Sequence, residues 1–190
     1  MIMEDDFSFV DGQPFMNLSK DNMSFEDVFT HIVQFMKQDP KGNYRLMVGT
    51  DSQVHKFHTL FITGIVIQRK GKGAWACIVP IKFKRKYLNL HEKISMETTL
   101  TEQVAYLFTK EHKNKLIDII LPNLYKGSSF TMEGHIDVGL EKRSLTRFIA
   151  SEMMARIESA GLEPVVKPES IVASGYANRY TKYPKKFLKF

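Results

Sequence analysis

Apolar and polar positions along this chain switch between two periods, and the switches mark out its elements. Over residues 24–38 the period is helical: Phe25, Val28, Phe29, Ile32, Val33 and Met36 form one apolar stripe, Ser24 with Asp27 makes a capping pair, and Asp39-Pro40 stops the helix. Lys41-Gly42-Asn43 is a turn. Three strands are predicted over 44–51, 58–68 and 74–83, and the short links between them imply an antiparallel meander. Helical spacing returns from about 91 to 111, with a second stretch at 114–124 after a break. Residues 129–138 read as a strand. Ser144 opens a helix that carries Leu145, Phe148, Ile149, Met153 and Ile157, Gly161 caps it, and 162–167 is a last short strand closed by Pro168. From Glu169 onward, IVASGYANRYTKY begins as a short helix whose small residues allow close packing on a sheet.

Three strands, helix, strand, helix, strand, helix is the order of an α/β fold, with a mixed five-stranded sheet in which antiparallel strands lie beside parallel ones under flanking helices. A chain of 190 residues with 43% hydrophobic content suits one core. The expected divisions are an acidic arm and first helix at 1–43, the main domain at 44–183 and a basic tail at 184–190. The single cysteine, Cys77, excludes an internal disulfide, the acidic N-terminus differs from a secretory signal, and no apolar stretch approaches a membrane span, so a cytoplasmic protein is expected.

The net charge of +6 is unevenly spread. Residues 1–30 are acidic, whereas Arg69, Lys70, Lys72, Lys82, Lys84, Arg85 and Lys86 form one basic concentration and the last residues form another. Such patches suit phosphate contacts, although from charge alone solvated strand ends and a frayed tail are the simpler explanation. Trp75, Phe83 and Tyr87 lie among the basic residues as candidate base contacts, although strand alternation places at least one in the core.

Three carboxylates carry the candidate chemistry. Asp51 ends an apolar strand in Gly49-Thr50-Asp51-Ser52-Gln53; Met47, Gly49 and Asp51 share a face, and Gly49 leaves room for metal or substrate beside the carboxylate. A turn in which Asp51 closes the strand reads the same residues. On the helix after the third strand, Leu100, Val104, Leu107 and Phe108 define the buried face. At ~100° per residue Glu97 lies within about 40° of that face, while Glu102 points to solvent. A buried acid needs a metal or a partner such as Lys93 or Lys86. Asp137 ends a strand in Gly134-His135-Ile136-Asp137-Val138-Gly139, with His135 on the same face as a ligand, a shuttle or simply an edge histidine.

In this order the residues resemble the ribonuclease H-like superfamily and, within it, the bacterial YkuK-type family. An Asp lies on the first strand (GTDSQ), a Glu on the helix after three antiparallel strands (SMETTLTEQV) and an Asp on the fourth strand (HIDVG), over roughly 44–182. The resemblance implies a pair of Mg2+ or Mn2+ ions about 3.5–4 Å apart, held by Asp51, Glu97 and Asp137 as catalytic and metal-ligating residues. Active members of the superfamily usually add a fourth acidic or histidine ligand on the last helix, where SGYANRYTK offers the uncharged Asn178. Arg179 and Lys182 would meet a phosphodiester, with Asn178 and His135 beside it. Tyr176 and Tyr180 either stack on a base or pack the helix on the sheet.

The leading expectation is a metal-dependent nuclease acting on nucleic acid, RNA ahead of DNA, with no membrane partner and with homo-oligomerisation left open. Two alternatives stand beside it. One is a nucleic-acid-binding module of the same fold without catalysis; the other is a regulatory subunit that docks a partner through the acidic arm and the Phe25 helix.

Overall fold

Strands β1 (Asn43–Val54), β2 (Thr59–Arg69), β3 (Ala74–Phe83), β4 (Ser129–Gly139) and β5 (Glu163–Lys167) form one sheet in the order β3-β2-β1-β4-β5. The computed structural model describes residues 8–141 and 146–183, so Ser144, Leu145 and the 184–190 tail lie outside the described residues. β1–β2 and β2–β3 pair antiparallel, while β1–β4 and β4–β5 pair parallel, giving the predicted mixed sheet. β1 extends three residues beyond the predicted end, so Asp51 sits within a paired strand opposite Ile62 instead of closing it.

The helices are α1 (Phe25–Lys37), α2 (Leu90–Leu107), α3 (Lys110–Ile120), α4 (Arg147–Ser159) and the short α5 (Asn178–Lys182), which continues a π-helical segment Val172–Ala177. Ser24 and Asp27 cap α1 reciprocally as predicted, and Gly161 takes the left-handed conformation after α4 (φ +77). The continuous helix expected to Glu111 instead ends at Leu107, because Thr109 and His112 form a capping box that starts α3 there.

One face of the sheet, carrying Leu46 and Val48, packs beneath α1, α2 and α3 in the main core. On this same face α4 packs on β4 and α2 around Ile136, Val138, Met153 and Ile157, while the opposite face, with Met47, Leu60, Ile62 and Ile78, lies beneath the π segment and α5. The arm is not separate from this domain. Val10, Phe15 and Met23 are buried in the main core, and Met16 pairs with Ile78, covering the open side of edge strand β3. Phe25 packs edge-on against Phe108, so α1 belongs to the core instead of standing out as a docking element.

Two glycines set the spacing at the centre. A Cβ on Gly134 would stand 2.4 Å from Ile157 Cγ2, so its absence lets α4 sit directly on β4. At Gly49 the room expected for metal or substrate is already filled: an added Cβ would lie 2.9 Å from His135 Cβ and 3.0 Å from Ala173 N. Gly49 therefore admits the π segment against the sheet.

Candidate carboxylate site at the end of the central strands

Parallel pairing places His135 beside Gly49, and alternation along β4 sends Asp137 to the same face and the same end as Asp51. Glu97 reaches this end from α2 on the other face, where Ser52 Oγ donates to its Oε1 at 2.6 Å. The three acids feel one another. The Glu97 carboxyl is pushed up to about 8, first by burial, with the charges of Asp51 and Asp137 adding to it and Lys93 and Ser52 opposing. Asp51 is also raised, first by burial; the Thr181 hydrogen bond opposes the rise and the Asp137 charge adds to it. At 5% and 9% exposed, Glu97 and Asp51 have little water to offset these effects.

Each carboxylate has a partner from the protein. Thr181 Oγ1 donates to Asp51 Oδ2 from α5, Lys93 Nζ stands 3.8 Å from Glu97 Oε1 one helical turn away, and Lys167 Nζ stands 2.9 Å from Asp137 Oδ1 at the end of β5. The Lys167 contact lacks hydrogen-bond geometry, and Asp137 Oδ1 is a buried oxygen without a hydrogen bond. Below the acids, Thr50 Oγ1 bonds Thr63 Oγ1 at 2.8 Å and Thr101 Oγ1 at 2.9 Å, fixing α2 against the hairpin.

Several sequence expectations change here. Glu102 does not point to solvent; it pairs with Arg156, which also bonds Ser95 and Thr99 and so ties α4 to α2. His135 is 1% exposed and has both ring nitrogens occupied: Val172 N–H donates to Nδ1 at 3.1 Å, and Nε2 meets Glu133 Oε2 at 3.1 Å. It holds the π segment to β4 and is closed to a phosphate. The Asn178 amide turns back along its own helix, donating to Ser174 O at 2.9 Å, and Thr181 is the residue of the last helix that meets Asp51. Arg179 and Lys182 lie exposed on α5. Tyr176 packs on Gly64 and edge-on against Tyr180, so these rings seat the helix on the sheet. Tyr87 and Phe83 join the core, and Trp75 stacks on His31.

The donor set suits a hard divalent cation. The side chains offer oxygen donors, the charges of Asp51 and Asp137 act on Glu97 in the way a divalent charge relieves, and Asp137 keeps an oxygen without a hydrogen bond. In the arrangement described, no group of three acidic, histidine or cysteine side chains among the described residues is spaced to hold an ion. An ion would take Asp51, Glu97 and Asp137 only with Lys167 and Thr181 drawn back.

A family model described as ribonuclease H-like matches residues 27–182. The uncharacterized protein YkuK of Bacillus subtilis (strain 168) is 41% identical over 168 residues, covering 88% of this chain and 96% of its own. No solved structure matches. No helix among the described residues is long and apolar enough to cross a membrane.

Proposed function

Because the chain belongs to the ribonuclease H-like family, of YkuK type, we propose that it hydrolyses phosphodiester bonds in nucleic acid, RNA ahead of DNA, with Mg2+ or Mn2+ at Asp51, Glu97 and Asp137. The observation that carries this reading is the burial of Glu97 within reach of two other acids, an arrangement that opposes folding unless the charges have a use. When bound, the ion supplies charge stabilisation at the phosphate and makes an attacking water more acidic. The chain supplies the rest. Ser52 and Thr181 fix the orientation of Glu97 and Asp51. Lys93 and Lys167 offset negative charge at the acids, and Arg179 and Lys182 add positive charge on the helix that carries Thr181.

A second reading draws on the same lysines. With Lys167 on Asp137 and Thr181 on Asp51, the acids are partly compensated without any ion, which favours a nucleic-acid-binding module that does not cleave. Cleavage of an end-labelled oligoribonucleotide in Mn2+, beside an EDTA control, separates the two. We expect cleavage by the wild type, and a loss of about 100-fold or more in Asp51→Asn, as removal of several kcal/mol of transition-state stabilisation gives. Equal cleavage by the variant, or binding without cleavage in every divalent ion, would overturn the hydrolase reading.

A further inference from the structure

The turn between β1 and β2 carries an exposed aromatic ring at the same end of the sheet as the acids. Phe57 is 74% exposed, and Lys56 Nζ lies 5.0 Å from its ring centroid. An apolar ring of this size in water has no folding role, because it contacts none of the cores. The turn beneath it is nonetheless braced. His55 N–H donates to His58 O at 2.8 Å, and the two imidazoles stack with centroids 4.6 Å apart. Phe57 is therefore presented from an ordered turn.

A second loop is tied to this one. Thr59 Oγ1 donates to Arg85 O at 3.0 Å and accepts from Tyr87 N–H at 3.0 Å, which fixes residues 84–88 beside the turn. Arg85 is committed to Glu92 and to the face of Tyr87. Its neighbours Lys84 and Lys86 are exposed and form no ion pair among the described residues, and Leu88 is 77% exposed. The rim thus offers one exposed ring and three lysine charges, Lys56, Lys84 and Lys86, that face no acid in an ion pair among the described residues. β1 ends at Val54, three residues past Asp51 and about 10 Å along the strand, and the turn follows from His55.

We propose that this rim binds single-stranded nucleic acid, with Phe57 stacking on an unpaired base while Lys56, Lys84 and Lys86 contact phosphates, and that it leads the strand toward the carboxylates. The inference rests on the nucleic-acid reading above but not on hydrolysis. A ring that stacks on one base needs that base unpaired, so a single strand is the matching partner and a duplex is not. The basic charge supplies affinity without sequence preference, and its position beside the acids distinguishes it from a general basic surface.

Binding of a labelled single-stranded oligoribonucleotide, its duplex and anionic phospholipid vesicles is measured in EDTA, so that no cleavage intervenes. Phe57→Ala is expected to weaken single-strand binding about tenfold or more, as loss of one stacked base gives, whereas Phe57→Trp retains it. Lys84→Gln with Lys86→Gln is expected to flatten the salt dependence by about 1.4 in log–log slope, the release expected for two phosphate contacts on a single strand. Absent binding by the wild type, equal binding by Phe57→Ala, a preference for duplex or capture by vesicles alone would each overturn the proposal. Normal stacking in a protein that never cleaves would overturn only the hydrolase reading.

Discussion

Glu97→Gln is expected to be more stable than the wild type at about pH 8.5 and nearly equal to it at about pH 4. The Glu97 carboxyl is pushed up to about 8, mostly by burial and further by Asp51 and Asp137. An unfolded chain releases this proton near the ordinary glutamate range, so between that range and about pH 8 the folded state holds a proton the unfolded state has lost. The sign follows: the contribution of neutral Glu97 is complete below the unfolded value and is lost as pH rises through the folded one. The full shift corresponds to an upper limit on the order of 5 kcal/mol, and rearrangement around Ser52 and Lys93 reduces it. Gln is neutral at every pH and keeps an oxygen for Ser52, so the variant removes the penalty without removing the hydrogen bond. Denaturant unfolding from about pH 4 to 9 reads the effect as a steeper fall for the wild type than for the variant, which keeps only the weaker dependence of its other groups. If the proposed ion binds ionised Glu97, added Mn2+ is expected to restore wild-type stability at high pH and to do much less for Glu97→Gln.

Arg45→Met is expected to destabilise the protein by about 3–5 kcal/mol, the cost of leaving a buried carboxylate without its cation. Arg45 reaches Glu133 with Nε at 2.7 Å and Nη2 at 2.5 Å, a two-point contact between neighbouring parallel strands. Burial pushes Glu133 up, but hydrogen bonds from His135, Arg45 and Thr131 together with the Arg45 charge overcome it and hold the carboxyl at about 2. A depressed carboxylate contributes stability above its unfolded pKa and loses it as pH falls toward about 2, so the wild type weakens in acid more steeply than the variant. The damage also travels. Glu133 orients His135, His135 accepts from Val172 N–H, and the segment begun there carries Thr181 to Asp51. Adding Glu133→Gln to Arg45→Met removes the unpaired charge, and thermal unfolding should show part of the lost stability returning.

Much of this site was legible because it follows regular periods. Alternation put Asp51 on one face with Gly49 and Asp137 on one face with His135, the resemblance implied that they converge, and the helical wheel separated Glu97 from its neighbours on α2; the pairing of Gly49 with His135 makes the two faces one. What escaped depends on contacts without local pattern. Thr181 was hidden by the π segment, since its extra residue per turn rotates α5 away from the phase that a regular helix predicts, bringing Thr181 and not Asn178 to the sheet. Lys167 reads as the polar end of a short strand, and only the pairing of β4 with β5 sets it beside Asp137. The arm shows no period because Val10, Phe15 and Met23 are separate plugs in a core built by other elements. Glu102 was sent to solvent by the wheel, which does not include the arginine of a second helix. Gly49 showed that something approaches closely, and the structure shows this to be backbone and His135.

Manganese anomalous diffraction from crystals grown with millimolar Mn2+ locates the proposed ion whether or not a substrate has been found. A peak is expected among the carboxylates of Asp51, Glu97 and Asp137, with Lys167 moved off Asp137. A map with no peak there, and with Lys167 still on Asp137 and Thr181 still on Asp51, would contradict the proposed metal site.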